Sequence, residues 1–235
     1  MNGLVVFLTA GAGIGALCVI VVSIPALFAG RRRGKHTTVD QAHLRATVPV
    51  YQALDADQRQ RLEQQARRFL RQKKIRTTDS SPAAIMPAAV AGNACMLRLA
   101  PGADCYPMLR EVVLDGEAEP PGRLAVGWND LYDAIAGGPR NPLAAACAEL
   151  LLADARKGQD NAQWWQRWHT AQAAFDPGAS PLLCVPGNQP ALFVCATEAF
   201  FQRGATLAQD HRELYELLSE YYQLDPVRGH KSTNG

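Results

Sequence analysis

Asn141-Pro142-Leu143-Ala144-Ala145-Ala146-Cys147-Ala148-Glu149-Leu150-Leu151 is the stretch on which the reading of this chain turns. Asn141 suits a helix N-cap, and Pro142 suits the first helical position, where its missing N–H would have no partner anyway. Gly137-Gly138-Pro139 breaks the chain before it. After it, Arg156, Lys157 and Gly158 supply the charge and conformation that a helix C-terminus favours. Between these ends the quoted residues are apolar except for Glu149, and they contain no histidine.

Blocks on both sides of this helix keep a recognisable order. Gly92-Asn93-Ala94-Cys95-Met96-Leu97 is followed by Asp104-Cys105-Tyr106 and an apolar run to Leu114. Trp128-Asn129-Asp130-Leu131 comes next, then Ala196-Thr197-Glu198-Ala199-Phe200-Phe201, and finally Leu214-Tyr215 with Tyr222-Gln223-Leu224-Asp225-Pro226. From about residue 48 to residue 226 this series resembles the Mlc titration factor A family of bacterial zinc-dependent peptidases. The family's corresponding segments read AAQACL, WY, SWADV, ASEAFF and LY..L..FYRQDP.

The resemblance implies an α+β, zincin-like domain, mostly helical with a small sheet, and it places Asn141 at the start of the family's HExxH helix. That motif works because two His at i and i+4 face one zinc ion while the intervening Glu serves as general base for the metal-bound water. Carried across, the first ligand position holds Ala145, the base position Ala146 and the second ligand position Glu149. The position of the family's third ligand holds Ala191, and Glu198 keeps the second acidic position of that segment. One carboxylate cannot hold a catalytic zinc, so a degenerate member is expected, with no catalytic residue, no metal and no cofactor. The alternative is a zinc metallopeptidase, aminopeptidase-like, with an atypical site. A settled loss of the metal also predicts that residues 144–148 and 150–152 pack directly on a helix near residues 191–201. Glu149 would then face solvent or be held by an Arg or a backbone donor.

Substitute constellations are poor. The five histidines, His36, His43, His169, His211 and His230, include no pair at i+3 or i+4. The six cysteines contain no CxxC, which argues against a zinc ribbon or a thioredoxin-like pair, and unpaired thiols agree with a reducing compartment. Trp164, Trp165, Trp168 and His169 share a helical stretch and read as core packing rather than a docking surface. Gly137-Gly138 lacks the lysine and the strand-to-helix context of a phosphate loop.

Residues 3–30 carry no charge, a run longer than the roughly 20 residues that cross a bilayer core as a helix. Arg31, Arg32, Arg33 and Lys35 follow at once, and basic residues stay on the cytoplasmic side. A cleaved signal peptide fits less well: Met1-Asn2 brings no side-chain charge, and no A-x-A site precedes the arginines. Residues 1–30 therefore read as a single transmembrane anchor in a bacterial inner membrane, with the soluble domain facing the cytoplasm. Gly11 and Gly15 form a GxxxG that would let two such helices meet as a homodimer.

Residues 31–48 read as a basic juxtamembrane linker, residues 49–226 as the zincin-fold domain and residues 227–235 as a flexible tail. Asp55 and Gln58 form a capping box opening a helix to about Lys74, with Leu62, Ala66, Phe69 and Leu70 as its core stripe. Further helices are expected from Pro87 to Met96 and near residues 129–135, 162–175, 190–203 and 210–223. Residues 108–114 and 124–126 read as strands, and residues 77–82 as a loop. Arg59, Arg61, Arg67, Arg68, Arg71, Lys73, Lys74 and Arg76 make the region of the first long helix basic, either for anionic lipid heads or as a solvated face. The net charge of +2 is modest, and the lack of interleaved aromatic residues or a groove-reading motif argues against nucleic acid as a partner.

Function is accordingly expected to be non-catalytic: a membrane-anchored binding or regulatory module, or an accessory subunit of a membrane complex. The resemblance implies one further partner class, a transcriptional regulator of sugar uptake.

Overall fold

A computed structural model describes residues 39–78, 84–100, 103–118, 121–155, 161–176 and 191–227. The chain divides into two units, Met1–His36 and Thr37–Gly235, and all described residues belong to the second. The apolar run at residues 3–30, its GxxxG and the four basic residues Arg31, Arg32, Arg33 and Lys35 lie outside the described residues. Among the described residues no helix is long and apolar enough to cross a membrane.

The stretch read as a linker up to residue 48 contains a helix, α1 (Gln41–Thr47), capped by Asp40, whose carboxylate accepts from the N–H of Ala42. Its Leu44 and Thr47 are buried against α3 (Met86–Cys95). Seven residues are too few to form a helix alone, so α1 exists through this packing. Gly92 permits the approach: a Cβ there would stand 2.5 Å from Val48 Cγ2 and 2.9 Å from Leu44 Cδ2.

Helix α2 (Ala56–Gln72) starts at the expected capping box, with the Asp55 carboxylate accepting from Gln58 N–H and Gln58 Oε1 accepting from Asp55 N–H. Its Leu62, Ala66 and Phe69 are buried, and α2 also packs on α3. The chain then enters β1 (Lys74–Thr77), where the sequence predicts a helix end and a loop. The basic residues in Lys74-Ile75-Arg76-Thr77 hide the period-two pattern, in which Ile75 and Thr77 turn inward while Lys74 and Arg76 stay exposed.

β2 (Glu111–Leu114) and β3 (Arg123–Val126) complete a three-stranded sheet of order β1-β2-β3, parallel throughout. The central strand β2 is buried along its whole length, as a strand with neighbours on both edges should be. The expected strand from residue 108 is shorter, because Tyr106 at φ 54 and the turn after it end regular pairing before Glu111.

The remaining helices are α4 (Trp128–Ile135), α5 (Pro142–Ala155), α6 (Ala162–Ala174), α7 (Ala191–Gln202), α8 (Gly204–Asp210) and α9 (Arg212–Tyr222). The chain is thus α+β and mostly helical, with a small sheet. The sequence does not announce α8, a seven-residue helix whose Leu207 is its buried residue, leaving little apolar periodicity to read. α5 makes its most extensive contact with α7, so the predicted pairing of these two helices is present. Of the aromatic stretch on α6, Trp164 and Trp168 are core while Trp165 is half-buried and His169 exposed: Trp164 stacks on Trp168 with ring centroids 5.5 Å apart, and its Nε1 donates to Leu217 O at 2.9 Å.

Candidate functional site

The α5–α7 interface is where the resemblance would put a metal site, and its polar groups gather at the amino-terminal end of α5. Asn141 is fully buried. Its Oδ1 accepts from Ala144 N–H at 3.0 Å, which confirms it as the N-cap. Its Nδ2 donates to Asn93 Oδ1 on α3 at 2.8 Å, and its own backbone N–H donates to Glu198 Oε1 on α7.

Glu198 is likewise buried, and Arg140 Nε reaches it from the surface at 2.9 and 3.0 Å from its two oxygens. Asn93 Nδ2 donates onward to the carbonyls of Thr47 and Ala89, while Gln202 Nε2 donates to those of Ala134 and Gly138. Five elements, α1, α3, α4, α5 and α7, are therefore tied by one buried polar network. Fully satisfied networks of this kind specify a packing, because any shift leaves a buried group without a partner.

Each motif position can now be placed. Ala145 and Ala146 are half-buried, with Ala145 against the core, and Glu149 is exposed. Ala191 is the first residue of α7. Alanine offers no ligand atom, and Glu198, the buried carboxylate at this interface among the described residues, is engaged by an arginine and a backbone N–H. With the motif placed as the resemblance implies, these residues would not fit a zinc ion held in the family's manner. Of the apolar residues expected to pack here, Ala144, Cys147, Ala148 and Leu151 are buried, while Ala145, Ala146, Leu150 and Leu152 are half-buried. Sequence reasoning does not find the polar network of Asn93, Asn141 and Gln202 as a unit. Its one signal is a pair of asparagines in otherwise apolar helical stretches.

Next to this interface lies a group of buried thiols. Cys95 and Cys105 have their sulfurs 3.5 Å apart, and Cys147 on α5 is buried nearby. Burial pushes the Cys147 thiol up to about 12 and holds Cys95 well above the ordinary range. The hydrogen bond between the Cys105 and Cys95 thiols lowers Cys105 despite its burial, with Arg98 adding to the effect. Tyr106 donates its hydroxyl to Ala94 O at 2.9 Å, and its carbonyl accepts from Lys73 Nζ at 2.7 Å. Desolvation lowers Lys73, against the opposing charge of Asp104.

Cys195 on α7 corrects the expectation that all six cysteines are free thiols, because it is disulfide-bonded. Its spacing to any other cysteine matches no CxxC motif, so local sequence gives no sign of the bond. Cys18 and Cys184 lie outside the described residues.

A buried, helix-rich α+β domain with an acidic residue facing an apolar helix is the class of protein defined by these features. Residues 30–119 match the model of the family described as glucose-regulated metallo-peptidase M90, the Mlc titration factor A family. A protein of Synechocystis sp., described as uncharacterized, is 26% identical over 236 residues, spanning 80% of this chain and 84% of its own.

Proposed function

We propose that this chain is a non-catalytic relative of the zinc peptidases, with a zincin-like fold, acting as a membrane-anchored binding or regulatory module. The observation that carries this reading is the state of Glu198. The acidic group that could serve a metal instead receives Arg140 and the amino-terminal N–H of α5, while the aligned ligand and base positions are Ala145, Ala146, exposed Glu149 and Ala191. A buried carboxylate with such partners acts as a structural tie between α5 and α7.

Elemental analysis of the purified full chain tests this reading. Well under one zinc per chain is expected, with no cleavage of amino-acid anilides and no fall in melting temperature on adding a chelator. Stoichiometric zinc with chelator-sensitive cleavage would establish the alternative, a peptidase with an atypical site.

The anchor rests on the uncharged residues 3–30, and the cytoplasmic orientation on Arg31, Arg32, Arg33 and Lys35. The partner would then be another membrane protein, a second copy joined through Gly11 and Gly15, or a transcriptional regulator of the kind the family resemblance implies. The disulfide at Cys195 favours a second reading of orientation, since such bonds persist in oxidising compartments and are rare in the cytosol.

A further inference from the structure

The three parallel strands start at one end of the sheet, and the residues there are strongly basic. Lys74 pairs in register with Glu111, and Glu111 with Arg123, so these three side chains share one face of the sheet. Arg76 lies on the same face two residues along β1, and Arg110 immediately precedes β2. Together with Gln72 and the turn at Pro121 and Gly122, they line a pocket of about 410 Å³, a size suited to a small ligand.

Two of the four cations are held in place. Glu111, itself buried, pairs with Arg76 through one oxygen and with Arg123 Nε at 2.9 Å through the other. A single buried carboxylate thereby orients both guanidiniums at the start of the sheet. Lys74 and Arg110 are exposed and have no side-chain partner among the described residues. Four cations against one carboxylate leave a net charge of +3 on the lining.

The floor is rigid. Arg110 and Glu111 both donate their backbone N–H to Gly122 O, at 2.7 and 3.2 Å, and Lys74 N–H donates to Arg110 O at 2.9 Å. Gly122 sits at φ +86, where a Cβ would stand 3.0 Å from Met108 O and 3.5 Å from Arg110 Cγ. The positive φ and the close Met108 carbonyl are what favour glycine at this turn.

Converging guanidiniums with an ammonium match the several oxygens of a phosphate, and fixed forks lose little freedom on binding. The described lining holds no aromatic ring on which a base could stack, so recognition would rest on charge and not on a nucleobase. We propose that this pocket binds a soluble, multiply charged phosphate compound, of the class of pyrophosphate or a phosphate monoester. The site is separate from the α5–α7 interface and does not depend on whether that interface is catalytic.

The probe is inorganic pyrophosphate, titrated calorimetrically into the detergent-solubilised full chain at low ionic strength. Saturable binding of one pyrophosphate per chain is expected, weakening as salt is raised. The double variant Lys74→Ala/Arg110→Ala should weaken it by about a hundredfold, roughly tenfold for each cation removed from the phosphate oxygens. Both side chains are exposed, so this variant should fold, and an unchanged melting temperature would verify it. Arg45→Ala/Arg67→Ala, on α1 and α2, should bind as the parent does. No saturable heat with pyrophosphate overturns the proposal, and so does equal weakening by both double variants, which would reduce the effect to diffuse surface charge.

Discussion

Glu198 Oε1 accepts the backbone N–H of Asn141 across 57 positions of sequence, and the same carboxylate takes Arg140 Nε at 2.9 Å. The start of one helix is thereby fastened to the middle of another. Replacing Glu198 by Ala leaves a buried N–H unsatisfied and should destabilise the domain by about 2–4 kcal/mol. Little of that loss belongs to Arg140, whose side chain is 68% exposed and solvent-screened. Glu198→Gln keeps an oxygen for the N–H and should lose roughly half as much. Urea midpoints decide, and an Ala variant as stable as the parent would show that the tie holds nothing.

Packing of α1 on α3 predicts a steric effect. Gly92→Ala places a methyl group 2.5 Å from Val48 Cγ2, so the helices must separate, at a cost of about 1–3 kcal/mol. Adding Val48→Ala should recover part of that loss. Failure of the second substitution to restore any stability would refute this packing.

A third expectation concerns pH. The folded Cys147 thiol titrates near 12, above the ordinary value of 9.0 to which unfolding returns it. A raised folded value means that the neutral thiol's contribution is complete below pH 9 and is lost as pH rises toward 12. Stability should therefore fall with increasing alkalinity in this window, and Cys147→Ala should flatten the slope. Buried Tyr106 and Cys95, also raised by desolvation, will leave some slope in the variant. Parallel urea curves at neutral and alkaline pH provide the comparison; an unchanged slope in the variant would remove Cys147 from the account.

Restoring the motif probes the proposed loss of catalysis. Ala145→His, Ala146→Glu and Glu149→His together should not yield stoichiometric zinc, because Glu198 stays committed to Arg140 and Asn141 and Ala191 supplies no ligand. Since Glu149 is exposed and both alanines are half-buried, destabilisation should centre on Ala145, which packs against the core. Tight zinc binding by this triple variant would mean that a ligand set survives.

For the anchor, the full chain should remain with membranes through a carbonate wash. In intact spheroplasts the carboxyl-terminal domain should resist added protease if Arg31, Arg32, Arg33 and Lys35 set the orientation. Digestion would instead place the domain, with its Cys195 disulfide, outside.

Local chemistry is readable wherever neighbours in sequence are neighbours in space. The capping box of Asp55 and Gln58, the Asn141 cap and the α6 aromatic core all follow from spacings of three or four residues, and all are present. The amino-acid sequence by itself also put alanine at 145, 146 and 191, where the resemblance implies metal ligands or the base. Tertiary structure alone decided that Asn93, Asn141, Glu198 and Gln202 become one network, which exists only when α3, α5 and α7 meet. The same holds for β1, whose basic residues resemble the end of α2 until Lys74 pairs with Glu111, and for α1, which is too short to be helical without α3 beneath it. Hydrogen bonds and close packing depend on distances between remote segments, and periodicity along a chain carries no information about those distances.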